Sequence, residues 1–132
     1  MDQPVKQLNA APGFKNHPDH KISVQSFHGR VKVRFANTVL AETKNAVLVH
    51  ETNHAENYYI PMEDIKRGLL TKSSHVTRCP FKGKASYWNI NIGDHEIDNA
   101  LWAYEMPYDE MLELAGLGAF YASKVEITAV QD

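Results

Sequence analysis

Apolar and polar residues alternate with a period of two through most of the chain after Lys21, a pattern typical of half-buried β-strands. The segments with this pattern are residues 22–27, 31–35, 39–43, 46–51, 57–61, 85–92, 96–107, 119–123 and 124–130. Turn residues such as Asn37-Thr38 and Gly93-Asp94 separate neighbouring segments, which favours antiparallel hairpins. The sequence therefore predicts a mainly β fold of curved antiparallel sheets, with about eight strands in a two-sheet or barrel-like body.

Two segments have helical features. MEDIKRGLL, at residues 62–70, carries carboxylates early and basic residues late, as the helix dipole favours, and YDEMLELAG, at residues 108–116, ends at a glycine. Residues 1–20 are polar and contain three prolines, so they predict an extended arm that is partly ordered at most. It can be a flexible tail, or it can lie across the body or a second subunit with Phe14 as its anchor. We therefore expect an arm at residues 1–20 and a single β-rich domain at residues 21–132, with one or two short helices.

Length, charge and cysteine content limit the class of protein. The 132 residues correspond to one domain, and a net charge of -2 argues against a general nucleic-acid binder while leaving room for a small basic patch. The single cysteine excludes an internal disulfide and a cysteine-rich zinc site, and no apolar run suits a signal peptide or membrane anchor. No phosphate-binding loop or dinucleotide fingerprint is present. We expect a cytoplasmic protein with no cofactor and no nucleic-acid or membrane partner.

The stretch HETNH, at residues 50–54, matches the HExxH pattern of zinc enzymes. That pattern needs a helix, because a helix brings both imidazoles to one side of the metal. AVLV precedes His50 and NYY follows soon after the motif, so the local sequence favours strand and turn. In an extended strand His50 and His54 would stand roughly 13 Å apart, too far to share one ion. We therefore expect surface histidines at a strand end and no metal site.

The stretch TRCPFKGK, at residues 77–84, holds the only cysteine. Arg78, Lys82 and Lys84 are close to Cys79 in sequence, and cations favour the thiolate that a nucleophilic cysteine needs. A free cysteine is more often a small buried hydrophobic residue, so Cys79 can also be structural or contact a ligand. These alternatives stay open from the sequence, with Cys79 and Lys82 as the candidate catalytic residues.

Aromatic residues are concentrated around the same segment. Trp102 and Tyr104 are two positions apart and therefore share one face of their strand. Pairing of that strand with residues 85–92, which contain Tyr87, would form an aromatic wall. Such a wall can stack a flat ligand, and Lys82 at its rim can bind a phosphate or carboxylate. The same side chains can instead be ordinary core residues.

Five stretches of the chain, NHPDHKI, YYIPMEDI, CPFKGKASYW, ALWAYEMPY and GAFY, resemble the bacterial family known as domain of unknown function 427. The family's hallmark is a Cys-Pro-Tyr-Lys-Gly segment followed by an Ala-x-Tyr-aromatic strand, and the resemblance covers nearly the whole chain. It implies one small β-rich domain with a tent-like pair of sheets, similar to the Mss4-like fold. Relatives of that fold bind zinc through cysteine pairs, which this chain lacks. The family has also carried a nucleotidyltransferase label, but the sequence has no acidic metal site of that kind.

The resemblance also implies which positions belong to a site. Matched to the family pattern, these are Glu51, Tyr59, Asp64, Cys79, Lys82, Gly83, Tyr87, Trp102, Tyr104 and Tyr121. The chain departs from the pattern at Phe81, where a tyrosine is usual, and at Gly118, where a larger apolar residue is expected. Phe81 removes one hydroxyl from any site in this region.

These observations lead to one preferred function and two alternatives. We predict a small-molecule-binding domain for a planar or anionic ligand, with a pocket beside Cys79 formed by Glu51, Tyr59, Lys82, Tyr87, Trp102 and Tyr104. The first alternative is an enzyme with Cys79 as nucleophile, Lys82 favouring its thiolate, and Tyr87 or Glu51 moving the proton. The second is a partner-binding module that uses the N-terminal arm and an exposed strand edge.

Overall fold

The computed structural model describes residues 9–132, of which ten β-strands make up more than half. The strands are β1 (Ile22–Ser26), β2 (Gly29–Phe35), β3 (Thr38–Thr43), β4 (Val47–Glu51), β5 (Asn57–Pro61), β6 (Leu70–Cys79), β7 (Gly83–Ile92), β8 (His95–Ala103), β9 (Leu117–Phe120) and β10 (Glu126–Gln131). One helical turn, α1 (Gly13–Asn16), precedes them, and three 3-10 segments lie at Met62–Asp64, Arg67–Leu69 and Asp109–Leu114. The first eight positions of the predicted arm lie outside the described residues.

The strands of the described chain form two sheets. The larger has seven strands in the order β1-β4-β5-β9-β8-β7-β6, and the smaller has three in the order β10-β2-β3. All the strand pairs are antiparallel and neither sheet closes on itself. The prediction of a mainly β domain of antiparallel sheets is therefore confirmed, and the barrel-like alternative is not formed.

The main core lies between the two sheets, and a second cluster covers the far face of the larger sheet. The largest fully buried side chains of the main core are Val31, Val33, Leu40, Ile60, Ile90 and Leu101. Because side chains alternate along a strand, neighbours of these residues point to the opposite face. There Tyr59, Tyr87, Trp102 and Tyr104 pack with Met111 and Leu114 from the segment between β8 and β9. One face of the larger sheet is therefore aliphatic and the other aromatic.

The sequence pattern does not predict β6, although it is one of the longest strands. β6 is the edge strand of the larger sheet, and most of its side chains are exposed on both faces. It therefore lacks the apolar alternation that identifies a half-buried strand. Its backbone pairs with β7 from Leu70 to Cys79, with a register shift between Lys72 and Val76.

The helix predicted at residues 62–70 forms as two separate 3-10 turns and not as one continuous helix. The residues between the turns are held by β3: Ile65 forms a bridge with Ala41, and the Lys66 N–H donates to the Leu40 carbonyl at 2.8 Å. The second predicted helix is a 3-10 segment, Asp109–Leu114, with a kink at Met111. Among residues 9–132, no helix has the length and hydrophobicity that crossing a bilayer requires.

Candidate functional site

The segment around Cys79 is the turn of the β6–β7 hairpin. Cys79 pairs with Gly83, and residues 80–82 connect the two strands. Gly83 has φ +125°, a conformation that residues with a side chain rarely adopt, so a glycine suits the point where the chain enters β7. Cys79 itself is a free, half-buried cysteine that packs at the edge of the aromatic cluster.

Backbone hydrogen bonds hold this turn from two sides. The Gly13 N–H donates to the Pro80 carbonyl at 2.9 Å, and the Tyr108 N–H donates to the Lys82 carbonyl at 2.9 Å. Lys82 is 8% exposed, so the fixed turn directs its side chain into the protein and away from solvent. The lysine predicted at the rim of the aromatic wall is therefore buried against it.

Glu51 reaches the same place from the end of β4. The alternation along the strand puts its side chain on the face of Val49, which belongs to the aromatic cluster. A turn follows at once, with Asn53 in the left-handed conformation (φ +64°) that asparagine tolerates. The His54 N–H donates to the backbone carbonyl of Glu51 at 2.9 Å. β4 therefore ends at Glu51, the residue that carries the carboxylate.

Glu51 and Lys82 form a buried ion pair. Lys82 Nζ donates to Oε1 of Glu51, and the side chains are about one-tenth exposed. His20 Nε2 lies 2.7 Å from Oε2, so both carboxylate oxygens have partners. Burial is the largest influence and raises the pKa of Glu51, but the hydrogen bond and charge of Lys82, with the hydrogen bond of His20, together hold that pKa below its ordinary value. Glu51 is therefore ionised at neutral pH, with both oxygens engaged.

The predicted aromatic wall forms beside this ion pair. Tyr87 of β7 pairs with Trp102 of β8, which pairs on its other side with Ala119 of β9. The small side chain of Ala119 leaves room for Trp102 to reach Tyr59 of β5. Trp102 Nε1 donates to the Tyr59 hydroxyl at 3.1 Å, and the two rings meet edge to face at 6.1 Å. Strand pairing and one small residue thus join aromatic side chains from three strands.

Tyr59, Tyr104 and Tyr121 keep their hydroxyl protons at neutral pH, so each can donate a hydrogen bond. Burial is the main cause that raises the pKa of Tyr59 and of Tyr104, and the charge of Glu51 adds to it. Burial and a hydrogen bond with Tyr87 raise the pKa of Tyr121 to about 12. Lys82 Nζ lies 5.9 Å from the centre of the Tyr104 ring.

The structure brings all six predicted binding residues together, and we call them the aromatic–lysine cluster: Glu51, Tyr59, Lys82, Tyr87, Trp102 and Tyr104. Each is less than 10% exposed. Cys79 and Tyr121 are among the half-buried side chains that pack against it, and the Tyr121 ring centre lies 4.5 Å from that of Trp102. The cluster is therefore closed over most of its surface.

A cavity of about 700 Å³ lies elsewhere, on the aliphatic face of the larger sheet. We call it the Trp88 cavity. Its lining includes Met62, Arg67, Leu70, Lys72 and Trp88, and it includes no residue of the aromatic–lysine cluster. Sequence reasoning did not find it, because its walls come from five separate segments and from the unpredicted strand β6.

Residues 9–20 cover the end of the cluster near the Cys79 turn. The Phe14 ring meets Phe81 edge-on at 5.0 Å, and His20 stacks on Phe81 at 3.9 Å. A Cβ on Gly13 would stand 2.7 Å from the Phe81 ring, so only glycine permits this close approach. Phe14 thus makes the kind of contact expected of an anchor, and Phe81 forms a platform for this segment.

His20 is a site residue that sequence reasoning missed. It is 31 positions from Glu51 in sequence and lies in a polar, proline-containing stretch with no periodicity. Its side chain contacts both the Glu51 carboxylate and the Phe81 ring. The one signal in the sequence was the family resemblance of the NHPDHKI stretch. That resemblance includes His20 but implies no role for it.

The HETNH segment forms a strand end and a turn, as its sequence predicts, and not a helix. His50 is exposed, with Nδ1 3.3 Å from Oε1 of Glu56, and the His54 ring centre lies 6.4 Å from that of His20. Residues 9–132 contain no group of three or more His, Cys, Asp or Glu side chains placed to hold a metal ion.

Asp64 lies apart from the cluster, where it accepts a hydrogen bond from Thr43 Oγ1 at 2.7 Å.

These features define a small antiparallel β domain with a buried ion pair beside an aromatic wall. The chain belongs to the family described as Domain of unknown function (DUF427), whose family model matches residues 23–131. A search of curated proteins found no match. Family membership is therefore shown, the tent-like, Mss4-like form of the fold stays a prediction, and the family description assigns no activity.

Proposed function

We propose that the chain is a small-molecule-binding domain and that the aromatic–lysine cluster binds a planar ligand with a carboxylate. The observation that carries this proposal is the imbalance of hydrogen-bonding groups in the cluster. An ammonium has several N–H donors, and Lys82 uses one of them within the described chain, on Glu51. Burial raises the pKa of the Tyr104 hydroxyl, so it stays protonated and adds a further donor. Both Glu51 oxygens already have partners, so the cluster has unused hydrogen-bond donors and few free acceptors. A ligand with acceptor groups would match it.

The buried charges also favour binding over a purely structural role. A buried ion pair is a weak stabilising device, since the desolvation of both ions offsets their attraction. Ionisable groups with perturbed pKa values that converge beside aromatic side chains are typical of functional sites. Glu51 and Tyr104 both have this property, and Lys82 lies between them.

The half-buried residues around the cluster indicate how a ligand would enter. Tyr121 is one of them and its ring lies against Trp102, so we expect a flat ring to approach there and stack against Tyr121 and Trp102. Its carboxylate would then point towards Lys82 and Tyr104. The charge of Glu51 partly neutralises Lys82. The hydroxyls of Tyr59 and Tyr104 therefore matter as much for binding a carboxylate as the Lys82 ammonium does.

The two tryptophans allow a selective test, because Trp102 lies in the cluster and Trp88 lies on the opposite face. In Trp88→Phe, fluorescence reports on Trp102 alone. We expect benzoate and nicotinate to change that fluorescence saturably, with Kd on the order of 1 mM for such small probes. Benzylamine, which has a similar ring but carries donors, should leave the signal unchanged.

Two variants decide whether the cluster is responsible. Tyr104→Phe removes one hydroxyl and keeps the ring, so the fold should persist while benzoate affinity falls by about threefold to tenfold. Lys72→Met, at an exposed ion pair outside the cluster, should not change the affinity. Equal responses to benzoate and benzylamine, no response at all, or unchanged affinity in Tyr104→Phe would each contradict the proposal.

A second candidate function is catalysis with Cys79 as nucleophile, with Lys82 as its cationic neighbour. The observation in its favour is that Cys79 is half-buried and packs against the aromatic residues of the cluster. The test is the rate of alkylation by iodoacetamide between about pH 5 and 9, measured by mass spectrometry. Rapid labelling with a midpoint well below about 8.5 supports catalysis, and labelling only in denaturant opposes it.

We also propose a cytoplasmic location, which the unpaired cysteine supports because reducing compartments preserve free thiols. A reducing-compartment reporter fused to the full chain would test it. The partner-binding role stays a prediction. Deletion of residues 1–20 followed by measurement of the association state would test that role, and an unchanged state would argue against it.

A further inference from the structure

We infer that the Trp88 cavity is a second binding site, for a small zwitterion with an apolar side chain, chemically an α-amino acid. The cavity lies on the opposite face of the larger sheet from the aromatic–lysine cluster and shares no residue with it. The inference therefore stands or falls separately from the proposed function. It rests on the shape of the cavity, its apolar floor and the charges at its rim.

The backbone builds the cavity without any rearrangement. Lys72 pairs with Trp88 across β6 and β7, which places both side chains on the cavity wall. On the other side, the Met62 N–H donates to the Gly116 carbonyl at 2.9 Å, and Gly116 has φ +77°, a turn conformation that suits glycine. The volume of about 700 Å³ falls within the range of small-molecule sites.

The floor of the cavity suits an apolar or aromatic side chain. Met62, Leu70, Trp88 and Leu117 are partly buried and line the interior. Lys72 Nζ lies over the Trp88 ring, 5.4 Å from its centre, so a cation covers part of one face of the ring. A flat or branched apolar group would cover the exposed part of this floor and displace water from it.

The rim carries charges of both signs in equal number. Lys72 and Glu105 form one exposed ion pair at 2.8 Å, and the hydrogen bond from Lys72 is the main cause that lowers the pKa of Glu105. Arg67 and Glu63 also line the cavity and form no ion pair within residues 9–132. A ligand with a carboxylate alone would leave Glu63 unopposed, and a ligand with an amine alone would leave Arg67 unopposed. A zwitterion can satisfy both.

Trp102→Phe leaves Trp88 as the fluorescent reporter of this cavity. We expect L-phenylalanine to change its emission saturably, with Kd below about 50 mM. Phenylpropionate, which lacks the amine, and phenethylamine, which lacks the carboxylate, should bind at least about fivefold more weakly.

Arginine variants supply the matched control. Arg67→Met should weaken phenylalanine binding by on the order of fivefold, because it removes the cation for the carboxylate. Arg78→Met replaces an exposed arginine of β6 outside the cavity lining and should have no effect. The inference is wrong if Trp88 does not respond, if phenylpropionate binds as tightly as phenylalanine, or if both arginine variants behave alike. Failure of benzoate to reach Trp102 would contradict the proposed function and leave this inference intact.

Discussion

Replacement of Lys82 by methionine tests the energetics of the cluster most directly. Lys82→Met keeps an unbranched side chain of similar volume but leaves the Glu51 carboxylate buried without its cation. Loss of one partner from a buried pair costs about 3–5 kcal/mol, and both side chains here are only about one-tenth exposed, so little of that cost is screened by solvent. A domain of this size has a free energy of unfolding of roughly 7–20 kcal/mol, so the variant should fold with much reduced stability.

The pH dependence separates a charge effect from a packing effect. In the native protein the pKa of Glu51 lies below its unfolded value, so its contribution is present above about pH 4.3 and is lost as pH falls through the folded pKa. In Lys82→Met, the burial that raises this pKa is opposed only by the hydrogen bond of His20 and the charge of His54. The destabilisation should therefore be largest at neutral pH and shrink towards pH 5, where Glu51 can take up a proton.

The assay is urea unfolding followed by tryptophan fluorescence at pH 7 and pH 5. Lys72→Met is the matched control, because the Lys72–Glu105 pair is about half exposed and should contribute at most about 1 kcal/mol. Glu51→Gln combined with Lys82→Met should recover part of the loss, since no buried charge remains. A loss below about 1 kcal/mol for Lys82→Met at pH 7, or the same loss at both pH values, would refute this reasoning.

Three further substitutions test the packing around the site. Tyr59→Phe leaves the buried Trp102 Nε1 without its acceptor and should cost about 1–3 kcal/mol in urea unfolding; a loss of a few tenths would contradict the hydrogen bond. Ala119→Leu overfills the fully buried gap between those two rings and should cost about 1–3 kcal/mol, so an unchanged thermal midpoint would argue against it. Gly13→Ala forces the 9–20 segment away from Phe81 and should speed its proteolysis, whereas equal cleavage rates would contradict the contact.

Much of the aromatic wall could be predicted because it follows from strand periodicity. Tyr87 lies on one face of its strand and Trp102 with Tyr104 on one face of the next, so pairing of consecutive strands was enough to join them. The turn at Gly93-Asp94 fixed that pairing as a hairpin. Lys82 was correctly associated with the wall, but its burial was not predicted, because the backbone bonds that turn it inward come from Gly13 and Tyr108, which are distant in sequence.

The errors have physical causes of the same kind. β6 has no alternation to detect, since an edge strand with both faces exposed carries polar residues throughout. Residues 62–70 have a helical charge pattern, but Ile65 and Lys66 pair with β3 instead of continuing a helix. No local sequence pattern indicates that pairing. His20 and the Trp88 cavity depend on contacts between distant segments, so they needed the fold before they could be recognised.

The polar character of β6 has a consequence for how the protein behaves at high concentration. An open sheet ends in a strand whose outer N–H and C=O groups can pair with another chain, which is the route to edge-to-edge aggregation. Lys72 and Arg78 lie on this strand, and its ladder is interrupted between Lys72 and Val76. Charge and irregularity at the edge oppose the addition of a further strand. The polar sequence of β6 prevents its prediction from apolar alternation. The same polar sequence opposes self-association at this edge of the larger sheet.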